Sequence, residues 1–98
     1  MALGVLCAAA ELGVRVPINL SVTGYDDIPQ ARYSVPPLTT VAQPLDEMAR
    51  EAIDRLLVRV GPNSESPAPV RRVYPVRLIE RASTGRVPAR LPDIGASL

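Results

Sequence analysis

The chain of 98 residues has no His, no Lys, no Trp and no Phe, and its one cysteine is Cys7. Without His there is no imidazole to work as an acid or base near neutral pH. With one Cys there is neither a disulfide pair nor a zinc-type ligand cluster. Most common catalytic chemistries are therefore disfavoured, and no enzyme activity, metal or cofactor is expected. All 11 cations are Arg, which codon bias explains better than selection for bidentate anion binding, so no function is drawn from it. Against 10 acidic residues they leave a net charge of +1. Such a chain has no basic field to neutralise a phosphate backbone, and no basic run for a membrane surface. Aromatic residues make up 3% and apolar residues 47%, so a core must be built from Ala, Val, Leu and Ile. The length allows one small domain at most, since single cores usually occupy roughly 100 to 150 residues.

Of Met1 to Leu12, eleven residues are apolar or Gly and only Glu11 is charged, and Gly13 follows as a helix C-terminal cap. A helix apolar all round is a buried helix, with Cys7 as a small buried hydrophobe. The core of a signal peptide is the competing reading. No basic residue precedes the stretch, however, and Val5-Leu6-Cys7 lacks the small residue that lipoprotein processing needs. The β-branched run Leu20 to Tyr25 predicts a strand ending at Gly24 with Asp26 and Asp27 just beyond, so helix, connection and strand form the unit of a parallel sheet. Ile28 to Pro37 carries three prolines and reads as an irregular loop, and Leu38 to Val41 as a short strand or an extended crossing. Leu45, Met48, Ala49, Ala52, Ile53, Leu56, Leu57 and Val60 then form the apolar stripe of an amphipathic helix. Pro44 suits its start, Asp46, Glu47 and Arg59 suit its dipole, and Asp46/Arg50 and Glu51/Arg55 are spaced for i, i+4 pairs. Gly61-Pro62 stops it. Residues 61–69 read as a flexible loop, and residues 70–81 as two short strands interrupted by Pro75, which marks a break, an edge or a crossing between sheets. Residues 86–98 are expected to be a disordered tail.

Those elements are too few for a self-sufficient parallel sheet, whose strands are normally covered on both faces. Two helices cannot supply that cover, and the first needs neighbours on every side. The expected whole is therefore a larger α/β protein of which this chain is the last part.

Ala2-Leu3-Gly4, Glu11-Leu12-Gly13-Val14-Arg15-Val16-Pro17, Leu20 through Ile28 (LSVTGYDDI), Pro36-Pro37-Leu38-Thr39-Thr40-Val41 with Gln43-Pro44, and Arg81-Ala82-Ser83-Thr84-Gly85 stand in this order. In order and spacing they closely resemble the C-terminal part of LacI/GalR-family bacterial transcription regulators, from Met1 to about Gly85. The resemblance implies a partial type I periplasmic-binding-protein-like fold, with parallel strands and flanking helices in two subdomains joined by three crossings. Residues 1–41 and 76–85 would belong to the C-terminal subdomain and residues 45–74 to the N-terminal one, with Pro75 at a crossing. It also implies a cytoplasmic protein whose helix-turn-helix lies outside this chain, that senses a sugar-like effector and reaches operator DNA only through that absent domain. A fragment of an exported sugar-binding protein of a transporter is the alternative.

Asp26 is the first candidate contact. It stands at the carboxyl end of a predicted parallel strand, where open α/β sheets bind ligands, and a carboxylate there can accept two hydrogen bonds from a sugar or nucleoside diol. The family uses its matching Asp for effector contact; an Asx turn that serves only the backbone is the competing role. Asp27 reads as a loop or capping carboxylate, since consecutive strand residues face opposite ways and no third carboxylate is at hand. Gln43 and Leu45 lie where the family lines its cleft, so Gln43 would donate to the effector and Leu45 pack against it, unless both only stabilise the crossing and the helix. Full-length family members form homodimers largely through the C-terminal subdomain. Leu3, Leu6 and the loop carrying Arg32 and Tyr33 are accordingly candidates for the dimer interface, with core burial as the alternative for the leucines and a solvated side chain for Arg32.

Overall fold

The structure is a computed structural model that describes residues 1–61 and 68–88. The expected loop at residues 62–67 and the expected tail from residue 89 on lie outside the described residues. The chain divides into two units, Met1–Ala42 with Arg77–Leu98, and Gln43–Val76.

In the first unit, helix α1 spans Ala2–Glu11. Its end is a Schellman cap: Gly13, at φ +71°, donates to the Ala10 carbonyl at 3.3 Å, and Val14 donates to that of Ala9 at 2.8 Å. Gly13 is thus the cap that its position after an apolar run predicts. Burial departs from expectation. Only Leu6 and Ala9 are buried, whereas Val5, Leu12 and Cys7 are exposed. An all-apolar helix is buried on every face only if neighbours surround it, and the described residues of this unit pack against one face. There, Leu6 meets Val22, Ala31 and Leu38, with Ala2, Leu3 and Val16 against them. Gly24 belongs to the same contact: a Cβ on it would stand 2.9 Å from Leu38 Cδ2, so the buried Leu38 side chain would have to shift, and 3.4 Å from Ala2 Cβ, an ordinary contact.

Strand β1, Thr40–Ala42, pairs antiparallel with β2, Arg77–Ile79, in the register Thr40↔Ile79, Val41↔Leu78 and Ala42↔Arg77. The expected parallel strand at Leu20 to Tyr25 is extended but reduces to one parallel bridge, Thr23↔Thr39. Its donors explain why. Gly24 donates to Thr39 O at 2.9 Å and Asp26 to Val41 O at 2.8 Å, as in a parallel ladder, but Val22 donates to Ser83 O at 2.9 Å instead. The ladder is cut off at that end by the returning chain and at the other by the turn at Asp26. Between these segments the proline-rich loop is less irregular than expected. Pro29–Arg32 forms a 3₁₀ turn with Ala31 fully buried, and the Ala31 carbonyl accepts from the Leu38 amide at 2.8 Å.

In the second unit, helix α2 spans Leu45–Val60, the bounds its apolar stripe predicts. Its Glu51–Arg55 pair closes at 2.9 Å, and Glu51 also accepts from the Tyr74 hydroxyl and lies 3.6 Å from Arg72. Asp46 and Arg50, at the same spacing, form no ion pair. The stripe itself is not covered: no residue of α2 is buried, and Leu45, Ile53, Leu56, Leu57 and Val60 are exposed. The strand expected at Val70 to Tyr74 is not formed. A strand exists by pairing, and the described residues of this unit offer no second one. No helix among the described residues is long and apolar enough to cross a membrane.

Candidate functional site

The extended segment at Leu20 to Tyr25 ends in two consecutive non-glycine residues with positive φ, Asp26 at 87° and Asp27 at 47°. Each such residue costs about 1–3 kcal/mol unless its surroundings hold it there. The neighbouring Thr40 and Val41 supply part of that hold. Asp26 donates its amide to Val41 O at 2.8 Å, and Asp27 donates its own to Thr40 Oγ1 at 3.2 Å, with Thr40 itself 1% exposed. The two acids are therefore not strand residues on opposite faces, as their sequence position suggested, but the corner of a left-handed turn. Asp26 is exposed at that corner, and Asp27 is half-buried beneath it.

Asp27 does more than cap a loop. Its Oδ1 lies 2.8 Å from Nη2 of Arg81, and both side chains are largely buried, 17% and 13% exposed. Arg81 is fixed on two further sides: Nη1 donates to Leu38 O at 2.9 Å, and its amide donates to Thr39 Oγ1 at 3.0 Å. Two residues on, the fully buried Ser83 donates its hydroxyl to Val22 O at 2.6 Å and accepts from the Thr39 amide at 2.8 Å. The Thr39 and Thr84 hydroxyls meet at 2.9 Å. The three short sequence pieces LSVTGYDD, PPLTTV and RASTG are thus one hydrogen-bonded assembly. Among the described residues every buried side-chain nitrogen or oxygen has a partner.

Sequence reasoning named Asp26 but missed Arg81 as the group behind it. The available signal was a cation at the head of RASTG, which marks no partner by itself. Gln43 and Leu45 belong to the second unit, where the Gln43 carbonyl accepts the Leu45 amide at 2.8 Å as the chain enters α2. Together with Pro44, Asp46 and Glu47 they line a shallow hollow of about 420 Å³. Of the residues considered for a subunit contact, Leu6 is in the core and Leu3 is half-buried against it, while Arg32 and Tyr33 are exposed, Tyr33 at 81%. A second hollow of about 430 Å³ in the first unit is mainly apolar, lined by Leu3, Val22, Tyr25 and Ile28 among others.

Residues 1–84 match the family model of the periplasmic binding protein-like domain. The HTH-type transcriptional repressor PurR of Escherichia fergusonii is 48% identical over 90 residues, which are 92% of this chain and 26% of the repressor. The chain thus spans about a quarter of the length of the curated relatives it matches. Among solved structures, a LacI family transcriptional regulator from Enterococcus faecium with bound ribose superposes with a TM-score of 0.74 at 34% identity, over 87% of this chain and 31% of that one. The transcriptional regulator CelR in complex with cellobiose gives 0.75 at 38% identity, over 84% and 24%. The chain belongs to the periplasmic binding protein-like domain family, as a segment of the effector-binding domain of LacI/GalR-type transcription regulators.

Proposed function

We propose that this segment works in a LacI/GalR-type regulator as part of its effector sensor, taking a sugar or a related polyhydroxylated metabolite, and that Asp26 contacts the ligand. The observation that carries this is Asp26 itself: an exposed carboxylate at the carboxyl end of an extended segment, on a turn that the surrounding chain holds in place. The regulators solved with ribose and with cellobiose support that ligand class. Gln43 and Leu45, at the entry to α2, are proposed as further contacts, Gln43 as a donor and Leu45 as an apolar surface. Leu3, Arg32 and Tyr33 are proposed for the contact between two copies, with Leu6 supporting Leu3 from the core. The regulator would be cytoplasmic, would catalyse no reaction, and would reach operator DNA through a helix-turn-helix domain that is no part of these 98 residues. Sensing then needs only differential affinity. A ligand that binds one arrangement of the regulator more tightly shifts the population toward it, and operator affinity follows.

With a net charge of +1 and no helix-turn-helix among the described residues, the 98-residue chain by itself is expected to retard no operator fragment in a gel shift at physiological salt. Salt-resistant, sequence-specific retardation by this chain alone would mean that it carries the DNA-binding function itself, against the division of labour proposed here.

A further inference from the structure

We propose that Arg81 is the positioning residue of the effector site: acting through Asp27, it locks the left-handed turn that presents the Asp26 carboxylate. This rests on the reading that Asp26 contacts the ligand. The turn is two residues long and both have side chains, so it persists only where contacts outweigh its strain. Of those contacts, the Asp26 and Asp27 amide bonds fix the backbone. The charge-assisted bond from Arg81 to Asp27 fixes the one side chain that is adjacent to Asp26 and turned inward. Arg81 suits the task because its planar fork serves two acceptors at once, the Leu38 carbonyl through Nη1 and the Asp27 carboxylate through Nη2. A lysine has the charge but not the fork. The guanidinium is anchored in turn by the core, since Leu38 is 3% exposed and the Arg81 amide is bound to the buried Thr39. Rigidity therefore passes from the core through Arg81 and Asp27 to a carboxylate at the surface. An unanchored carboxylate would have to be ordered when the ligand binds, at a cost in affinity.

The test uses a regulator that carries this segment, with Arg81→Met, Arg81→Lys, Asp27→Asn, Asp26→Ala and the double variant Asp26→Ala/Arg81→Met. Hydrogen exchange is read at the amides of Asp26, Asp27 and Leu38, and binding is titrated with ribose and with cellobiose. Arg81→Met is expected to speed exchange at Asp26 and Asp27 about tenfold, and Arg81→Lys and Asp27→Asn by less, with the Leu38 amide unchanged. Arg81→Met is also expected to weaken sugar binding about tenfold in the otherwise intact protein, and less than twofold once Asp26 is already Ala, because a residue that acts through Asp26 has nothing left to position. Unchanged exchange at Asp26 and Asp27 overturns the lock. A tenfold loss that persists in the Asp26→Ala background overturns the positioning role and leaves Arg81 a structural residue only. If Asp26→Ala leaves binding of both sugars unaltered, or if neither sugar binds the unaltered regulator, the contact reading fails and the positioning role with it. The exchange data then still show separately whether Arg81 locks the turn. Should Arg81→Met fail to fold, the lysine and Asp27→Asn variants carry the same comparison.

Discussion

Asp26→Ala in a regulator that carries this segment is expected to raise the effector concentration needed for half-maximal response by about 10- to 100-fold, the loss of hydrogen bonds to a charged acceptor. Operator affinity without effector should stay within about twofold. The exposed position of the carboxylate is why the two quantities separate: the substitution removes little buried surface, so the fold is expected to be kept. Operator binding followed by fluorescence anisotropy, with ribose or cellobiose added stepwise, measures both. Asp26→Asn distinguishes contact from turn chemistry. Asn adopts positive φ at least as readily as Asp and can make the same Asx turn, but it offers a ligand diol one acceptor oxygen where the carboxylate offers two. A response to effector that is the same in wild type, Asn and Ala variants would remove Asp26 from the site.

The largest stability effect expected from deleting one small group is at Ser83. Its hydroxyl is completely buried and joins the Val22 carbonyl to the Thr39 amide, so Ser83→Ala leaves two buried backbone groups short of a partner. At about 1–3 kcal/mol for each, the loss is expected to be about 2–6 kcal/mol, read as a lower urea midpoint at unchanged slope. Ser21 provides the control. Its hydroxyl bridges the Gly85 amide and carbonyl in the same manner, at 3.0 and 3.3 Å, but at an exposed position where water can replace it. Ser21→Ala should therefore cost less than about 1 kcal/mol. Equal midpoints for the two variants would show that burial is not what makes the Ser83 bridge strong.

Helix α2 is legible in the sequence because its signal is local: eight apolar positions on one stripe, with Pro44 before it and Gly61 after it. The cap at Gly13 is legible for the same reason, since only a residue tolerant of positive φ ends a helix in that way. Pairing is less legible. Val70 to Tyr74 has a strand-forming composition yet makes no strand, and Leu20 to Tyr25 makes only a bridge, because a strand depends on partners that lie elsewhere in the chain. The burial of α1 fails similarly, since an apolar face shows what a helix can bury and not what is there to bury it. At the candidate site, Asp26 follows from strand ends and from the family resemblance. The Arg81–Asp27 pair does not, because the two residues are 54 positions apart and neither carries a periodic signal. The five short sequence pieces read like independent motifs, and three of them are parts of one assembly through Thr39, Thr40, Arg81 and Ser83.

The most direct measurement of the central claim is the coupling between effector and operator in a regulator that carries this segment. Operator affinity is determined with and without saturating ribose or cellobiose, and sugar affinity with and without operator. The account predicts that a sugar bound by the regulator changes operator affinity by about 5- to 150-fold, and that operator changes the affinity for that sugar by the same factor, as linkage requires. Sugar binding that leaves operator affinity untouched, or that occurs in a protein with no operator affinity at all, would contradict it and would instead fit a carrier of sugars.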